Sequence, residues 1–316
     1  MAAPAPPTGR LAPSPTGLLH LGHARSFLLA WWQVRARGGR CLLRLEDLDR
    51  SRVRPGLGEA CLRDLEWLGL DWDGPVVLQS EGAAHLHAAL ERLRSAGALY
   101  PCVCTRREVR EAASAPHSSD GAAAYPGTCR GRFASLAEAR AHGGGAAAWR
   151  LRVEPGAVAF RDELLGCQAV DVAAEVGDFP VSGRDGQIAY QLAVVVDDAR
   201  SGVDTVLRAD DLMRSTARQL LLQRALGLPS PRWYHVPLVC GPDGRRLAKR
   251  TDDLSLTALR EAGVDPRVVV SWVARSCGLA CPEPLAAAEL LPSVDLSLLP
   301  AEPVVFDPAA EGFLAP

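Results

Sequence analysis

Lysine is almost missing from this 316-residue sequence. Lys249 is the only one, and the other 34 of the 35 basic side chains are arginine. The abundance of alanine, glycine, proline and arginine is typical of a protein encoded by a G·C-rich genome. A lysine retained against that bias indicates a chemical role that arginine would fill poorly. An ammonium is a compact point charge on a flexible stem, whereas a guanidinium is a planar group.

Long apolar runs, a secretory leader and a strong net charge are also absent. The longest apolar stretches, SFLLAWW and LAVVV, are too short to cross a bilayer. The N-terminus MAAPAPPTGR lacks the features of a signal peptide. A net charge of −2 argues against a protein that coats nucleic acid through bulk charge. We therefore expect a cytoplasmic protein whose nine cysteines are reduced thiols or metal ligands.

The first half of the chain alternates strand-like and helix-like segments. GRLAPSP, RCLLRLED and PVVLQS have the composition of buried strands, whereas ARSFLLAWWQVRARG and GEACLRDLEWLGL carry apolar residues at helical spacing. This order predicts an α/β fold with a doubly wound parallel sheet. After an irregular region, IAYQLAVVVDD predicts a further buried strand and DLMRSTARQLLLQRALG a helix.

Changes in this rhythm predict four parts of the chain. Residues 1–99 form the first half of the doubly wound domain, and residues 187–240 form its second half. Residues 100–186 form an inserted small α+β subdomain with clustered cysteines. Residues 241–316 comprise a loop around Lys249 and a short helical C-terminal region.

The segment RLAPSPTGLLHLGHAR places a strand, a Pro/Gly turn and a helix start in succession. Free amides and the positive end of the helix dipole attract phosphate at such a position. His20 and His23 add imidazole donors, and Gly22 lets a nucleotide approach the backbone. Lys249 is the candidate for the opposite side, where a mobile cation stabilises charge on a leaving pyrophosphate. Taken alone, H-x-G-H is equally compatible with two ordinary surface histidines.

The pair HLGH and RRLAKR resembles the two signatures of class I aminoacyl-tRNA synthetases. More closely, the ordered segments RLAPSPTGLLHLGHAR, RLEDLD, IAYQLAVVVDD, VLRADDL and RRLAKR are similar to those of glutamyl-tRNA synthetases. The resemblance implies a Rossmann-like catalytic domain that uses L-glutamate and ATP with Mg²⁺. The second signature usually contains KMSKS or KLSK, and here Arg246 and Ala248 replace its first lysine and its serine. Lys249 stands at the lysine that contacts ATP, and loss of the serine predicts slower activation.

Glutamate carries two carboxylates and one ammonium, so its pocket requires cations and at least one anion. Arg10, at the end of the first strand, is placed for bidentate binding of a carboxylate. The resemblance implies that Arg10 and Arg208 bind the substrate carboxylates. It places Glu46 and Tyr190 near the ammonium, with Ser14 as a further hydrogen-bonding group. Outside this context Glu46 would belong to a solvated acidic turn and Tyr190 to the core.

Three cysteines, Cys102, Cys104 and Cys129, lie within one short segment of the predicted insertion. They predict a structural zinc site, and three reduced thiols without metal are the alternative. The residues alone leave the fourth ligand open between His117 and Tyr125. YPGTC resembles the Tyr-x-x-x-Cys of glutamyl-queuosine tRNA(Asp) synthetases, which implies Tyr125.

Only 66 residues follow Arg250, too few for the helical domains with which a glutamyl-tRNA synthetase reaches an anticodon. This brevity and the Cys/Cys/Tyr/Cys set are similar to glutamyl-queuosine tRNA(Asp) synthetases. The resemblance implies tRNA-independent activation of glutamate and its transfer to queuosine, the wobble base of tRNA(Asp), whose anticodon loop docks in the catalytic cleft. We expect a monomer. The alternatives are a truncated synthetase that charges the 3′ end of tRNA(Glu), a nucleotidyltransferase that shares only H-x-G-H, and an inactive RNA-binding paralogue.

Overall fold

The structure is a computed structural model that describes residues 5–105, 107–109, 124–247, 255–279, 281 and 284–307. The predictions for His117, Ala248 and Lys249 lie outside these residues. Within them, no helix combines the length and hydropathy that a membrane span requires.

The first part of the chain forms a parallel sheet in the order β1-β2-β3. Its strands are β1 (Thr8–Leu11), β2 (Arg40–Leu45) and β3 (Val77–Leu78). Helix α1 (Leu21–Arg35) connects β1 to β2, and α2 (Leu57–Trp67) connects β2 to β3. Helix α1 is buried on most of its sides, which explains why SFLLAWW is almost uniformly apolar.

Further α-helices and strands follow within the described residues. They are α3 (Ala83–Ser95), β4 (Leu99–Cys102), α4 (Leu136–His142), β5 (Ala148–Leu151), β6 (Val158–Asp162), β7 (Gly166–Val170), α5 (Val172–Glu175), α6 (Tyr190–Arg200), β8 (Thr205–Ala209), α7 (Met213–Leu226), β9 (Arg232–Val236), β10 (Val239–Cys240), α8 (Leu256–Glu261), α9 (Pro266–Ser276) and β11 (Val304–Val305).

A second sheet has the order β7-β6-β9-β8. Strands β8 and β6 both pair in parallel with β9, whereas β6 and β7 form an antiparallel hairpin. The hairpin falls within the insertion predicted at 100–186, yet its hydrogen bonds join it to strands of the second half. The four-part division stays a prediction. The pairing of β6 with β9 connects its predicted insertion, 100–186, to its second half, 187–240.

Strands β1 and β8 lie side by side where the two sheets meet. The amide of Asp204 donates to the carbonyl of Thr8, and the amide of Thr8 donates to the carboxylate of Asp204, both at 3.0 Å. The chain continues from β1 to β2 on one side and from β8 to β9 on the other. The carboxyl ends of β1 and β8 therefore frame a crevice, the position at which open α/β sheets bind ligands.

The strand predicted in IAYQLAVVVDD is wrong, because this segment forms helix α6. All residues from Leu192 to Asp198 are buried in this helix. A short apolar run does not distinguish an enclosed helix from an enclosed strand, since both are apolar on every face. Tyr190 consequently begins a helix instead of lying within a strand.

Candidate active site

The start of α1 forms one wall of the site. Nδ1 of His20 accepts the amide of Gly22 at 3.1 Å, and Nδ1 of His23 accepts the amide of His20 at 3.2 Å. Because both Nδ1 atoms accept hydrogen bonds, the proton of each neutral ring is on Nε2. The two rings lie 3.8 Å apart between centroids. This helix start therefore combines two imidazole N–H donors with the positive end of the helix dipole, an arrangement suited to phosphate.

Gly22 contributes in a way that the sequence did not indicate. A Cβ atom at this position would lie 3.0 Å from Cε1 and 3.1 Å from Nδ1 of His20. The missing side chain thus leaves space for the His20 ring to fold back and cap the helix. The close approach of a nucleotide to Gly22 stays a prediction.

A cavity of about 490 Å³ lies at the carboxyl ends of β1 and β8. It is bordered by all five residues predicted for the amino-acid end and by one signature histidine: Arg10, Ser14, Glu46, Tyr190, Arg208 and His23. A smaller cavity of about 50 Å³ is bordered by His20, Gly22 and His23. Arg246 borders both cavities. The fold therefore brings the predicted nucleotide and amino-acid ends together.

Arg208 is a cation of the larger cavity that two buried side chains hold in place. Its Nε donates to Nε2 of His235 at 3.2 Å, and its Nη2 donates to Oγ1 of Thr216 at 2.7 Å. Its Nη1 is buried and has no hydrogen-bond partner among the atoms that the structure describes. Burial lowers the pKa of Arg208 to about 10, so the group is charged at neutral pH. A buried N–H left unpaired costs free energy, which an anionic ligand would recover.

A buried ion network holds Arg10 and Glu46. Arg44 lies 2.8 Å from Asp198 through Nη1 and 3.1 Å from Glu46 through Nη2. Nε of Arg10 lies 3.4 Å from the same Asp198 oxygen. Burial opposes ionisation of Asp198, but the guanidinium groups of Arg44 and Arg10 hold its pKa below the ordinary value. The hydroxyl of Ser14 donates to Glu46 at 3.4 Å.

Arg44 and Asp198 were missed in the sequence analysis, although the sequence contains a signal for each. Arg44 interrupts the apolar strand RCLLRL, and Asp198 ends the apolar run LAVVVDD. A charge within a buried segment requires a partner of opposite sign. Arg44 and Asp198 are each other's partners. Together they hold Glu46 and Arg10, two charged residues that border the cavity.

The second signature adjoins the smaller cavity through the residues on either side of 248–254, which lie outside the described ranges. Arg246 forms an ion pair with Asp211. The amide of Leu247 donates to the carbonyl of Val239 at 2.9 Å, and Val239 borders the smaller cavity. At the other end, Ser255 pairs with His20 in an antiparallel bridge. Both flanking residues therefore contact walls of the cavity that contains His20.

The predicted zinc ligands meet at one point. The sulfur atoms of Cys102, Cys104 and Cys129 lie within 4.8 Å of one another. The hydroxyl oxygen of Tyr125 lies 3.4 Å from Cys102 Sγ and 3.7 Å from Cys104 Sγ, and it accepts the amide of Cys129 at 2.9 Å. Gly177, with a φ of +73°, allows the backbone of Tyr125 to approach, because a Cβ there would lie 2.2 Å from the Tyr125 carbonyl oxygen.

The chain is similar to known proteins over nearly its whole length. Residues 8–295 match the family model for tRNA synthetases class I (E and Q), catalytic domain. A glutamyl-Q tRNA(Asp) synthetase of Symbiobacterium thermophilum is 49% identical, with 94% of each chain covered. One from Nocardia farcinica is 50% identical, covering 93% of this chain and 91% of the relative. The glutamate-tRNA synthetase structure from Elizabethkingia anophelis is 24% identical and covers 97% of this chain and 69% of its own, and its TM-score of 0.81 shows the shared fold.

Proposed function

Because the chain belongs to the class I glutamyl- and glutaminyl-tRNA synthetases, and within them to the glutamyl-Q tRNA(Asp) synthetases, we propose that it activates L-glutamate with ATP without tRNA and transfers the glutamyl group to queuosine in tRNA(Asp). The observation that carries this proposal is the cavity bordered by the cations Arg10 and Arg208 and the carboxylate of Glu46. These charges complement the two carboxylates and the ammonium of glutamate. The names of the full-length relatives support queuosine as the acceptor.

In the first step, an oxygen of the glutamate α-carboxylate attacks the α-phosphorus of ATP. The new P–O bond forms as the bond to the bridging oxygen breaks, and pyrophosphate leaves with the electron pair. Arg10 and Arg208 hold the substrate for in-line attack. His20 and His23 donate to phosphate oxygens, and Lys249 stabilises the charge on the leaving pyrophosphate. Mg²⁺, when bound to the nucleotide, neutralises further phosphate charge.

In the second step, a hydroxyl of the cyclopentene diol of queuosine attacks the carbonyl carbon of the glutamyl-adenylate. A C–O ester bond forms, and the bond from the carbonyl carbon to the phosphate oxygen breaks to release AMP. We assign the leaving phosphate as the acceptor of the hydroxyl proton. The cyclopentene diol resembles the ribose diol of a terminal adenosine, so the cavity that activates glutamate is suited to receive the queuosine of an anticodon loop.

Two measurements test this function. We expect ATP–pyrophosphate exchange that depends on glutamate and occurs without tRNA. Radiolabelled glutamate should then be transferred to tRNA(Asp) that contains queuosine, even after its terminal adenosine is removed. The matched control is the same tRNA from cells that make no queuosine, which should accept nothing. Charging that requires the terminal adenosine and ignores queuosine would instead identify a tRNA(Glu)-type activity.

We propose further that Cys102, Cys104, Tyr125 and Cys129 hold one structural zinc ion. Thiolates are the usual ligands of structural zinc, and three thiols with one phenol oxygen provide the four donors of a tetrahedral site. Bound zinc would join strand β4, which contains Cys102, to the segment that carries Tyr125 and Cys129. Its contribution is therefore to the folding of this region and not to the chemistry of glutamate activation.

Replacing Cys104 by serine should lower the affinity for zinc by more than about 100-fold, because a ligand is lost directly. The metal content of the purified protein and its competition with a chelator measure this effect. Cys167→Ser is the matched control, since Cys167 is an exposed thiol on β7 outside the cluster. Tyr125→Phe decides the fourth ligand: a fall in affinity supports Tyr125, whereas unchanged affinity together with zinc loss in His117→Ala would contradict it.

A further inference from the structure

Arg208 is connected to the β6–β7 hairpin through a chain of buried side chains. His235 on β9 contacts Arg208 on one side, and its Nδ1 lies 2.7 Å from Oδ2 of Asp162 at the end of β6. Thr216 on α7 lies 3.0 Å from Nε2 of His235 and accepts Nη2 of Arg208. Asp162, Thr216 and His235 are completely buried. None of these three residues borders either cavity at the predicted site.

Arg208 determines which atoms donate and which accept in the hydrogen bonds that connect it to Asp162. The Nε of a guanidinium always carries hydrogen, so Nε2 of His235 accepts and its ring proton is on Nδ1. Nδ1–H then donates to Asp162. Burial lowers the pKa of His235, although the Asp162 carboxylate opposes this shift, so the ring is neutral.

Asp162 is itself held rigidly. Its Oδ1 accepts the amides of Leu164 and Leu165 at 3.0 and 2.9 Å, and its Oδ2 accepts the amide of His235 at 3.1 Å. A carboxylate with this many donors is ionised and cannot rotate without losing several hydrogen bonds. The hairpin turn thus holds Asp162 in one orientation, and Asp162 in turn orients His235 against Arg208.

We propose that Asp162, His235 and Thr216 are positioning residues that restrict Arg208 to one rotamer and leave its Nη1 as the group that binds a carboxylate of the amino-acid substrate. This inference rests on the proposed glutamate activation. Two of the three guanidinium nitrogens are occupied by His235 and Thr216, and the third is the buried unpaired one. A cation fixed in this way binds a carboxylate more tightly than a mobile one, because ordering it on binding costs less conformational entropy.

The experiment compares Thr216→Val, which removes the hydroxyl at nearly constant volume, with Thr216→Ser, which retains it. We expect Thr216→Val to raise the KM for glutamate by about tenfold in ATP–pyrophosphate exchange, with the KM for ATP unchanged. Thr216→Ser should return the KM for glutamate to within about twofold of the original value. The matched control is Thr205→Val. It removes a hydroxyl from another buried threonine, which lies at the end of β8 opposite to Arg208.

A second measurement examines the chain of hydrogen bonds without any substrate. Nitrogen NMR of the unmodified protein should show His235 with its proton on Nδ1. A proton on Nε2 would overturn the inference, as would a KM for glutamate in Thr216→Val equal to that of Thr205→Val. The proposed function would survive either result, provided that glutamate-dependent exchange occurs. Absence of that exchange in the unmodified protein would overturn the proposed function and the inference with it.

Discussion

Replacing Arg208 by methionine should reduce kcat/KM for glutamate by roughly 100- to 1000-fold, mainly through the KM for glutamate. The change removes a buried cation from the cavity wall while retaining an apolar side chain of similar length. Truncating one partner of a desolvated, hydrogen-bonded charge pair costs about 2–5 kcal/mol, a range that includes this loss. Steady-state ATP–pyrophosphate exchange at varied glutamate and varied ATP provides both KM values.

Two further variants make the Arg208 result specific. Arg208→Lys keeps the charge but cannot contact His235 and Thr216 together, so we expect activity between that of Arg208→Met and the original protein. Arg92→Met removes an arginine on α3 that donates to the carbonyl of Leu226 and does not border the cavity. It should leave both KM values unchanged. An Arg208→Met protein with the original KM for glutamate would contradict the assignment of Arg208 to a substrate carboxylate.

Replacing Lys249 by alanine should lower the rate of exchange by roughly 100- to 1000-fold, with little change in the KM for glutamate. Removing one group that stabilises developing charge has an effect of this size in other enzymes. Lys249 is two residues from Leu247, so their Cα atoms are at most about 7 Å apart. Leu247 is hydrogen-bonded to Val239 beside the cavity that His20 borders, and this proximity along the chain supports the proposed role of Lys249 at the phosphates.

Lys249→Arg tests why this chain retains a single lysine. We expect it to recover only part of the activity, because a planar guanidinium cannot reproduce the point contact of an ammonium on a flexible stem. Arg245→Ala is the control in the same loop, since Arg245 is exposed and contacts Asp243 alone among the acidic residues described. Full activity in Lys249→Ala would leave the catalytic assignment of Lys249 without support.

The sequence predicted which residues border the cavity better than it predicted the backbone that presents them. Glu46 follows β2 as expected, and Arg10 lies in β1 as expected. Tyr190 was also assigned to the amino-acid end and borders the cavity, yet the strand predicted around it is a helix. The order of the motifs along the chain pointed to these residues through the family resemblance. The apolar run beside Tyr190, in contrast, is equally compatible with an enclosed strand and an enclosed helix.

Residues that act through other side chains were the ones that sequence reasoning missed. Asp162 lies more than 40 residues before Arg208 in the chain and is connected to it through His235. No local spacing relates these residues, because their proximity arises from the parallel pairing of β6 and β9. A buried charge in a strand, as at Arg44, indicates that a partner exists but does not identify it.

The seam between β1 and β8 has a consequence for how the protein responds to its amino acid. Arg10 comes from the strand on one side of this seam and Arg208 from the strand on the other. Glutamate bound to both would link the two sheets, so the free energy of unfolding of the whole chain would increase with the concentration of free glutamate relative to its Kd. Neither sheet by itself would retain that affinity. A displacement of β1 relative to β8 would change the distance between Arg10 and Arg208 and would therefore weaken amino-acid binding first.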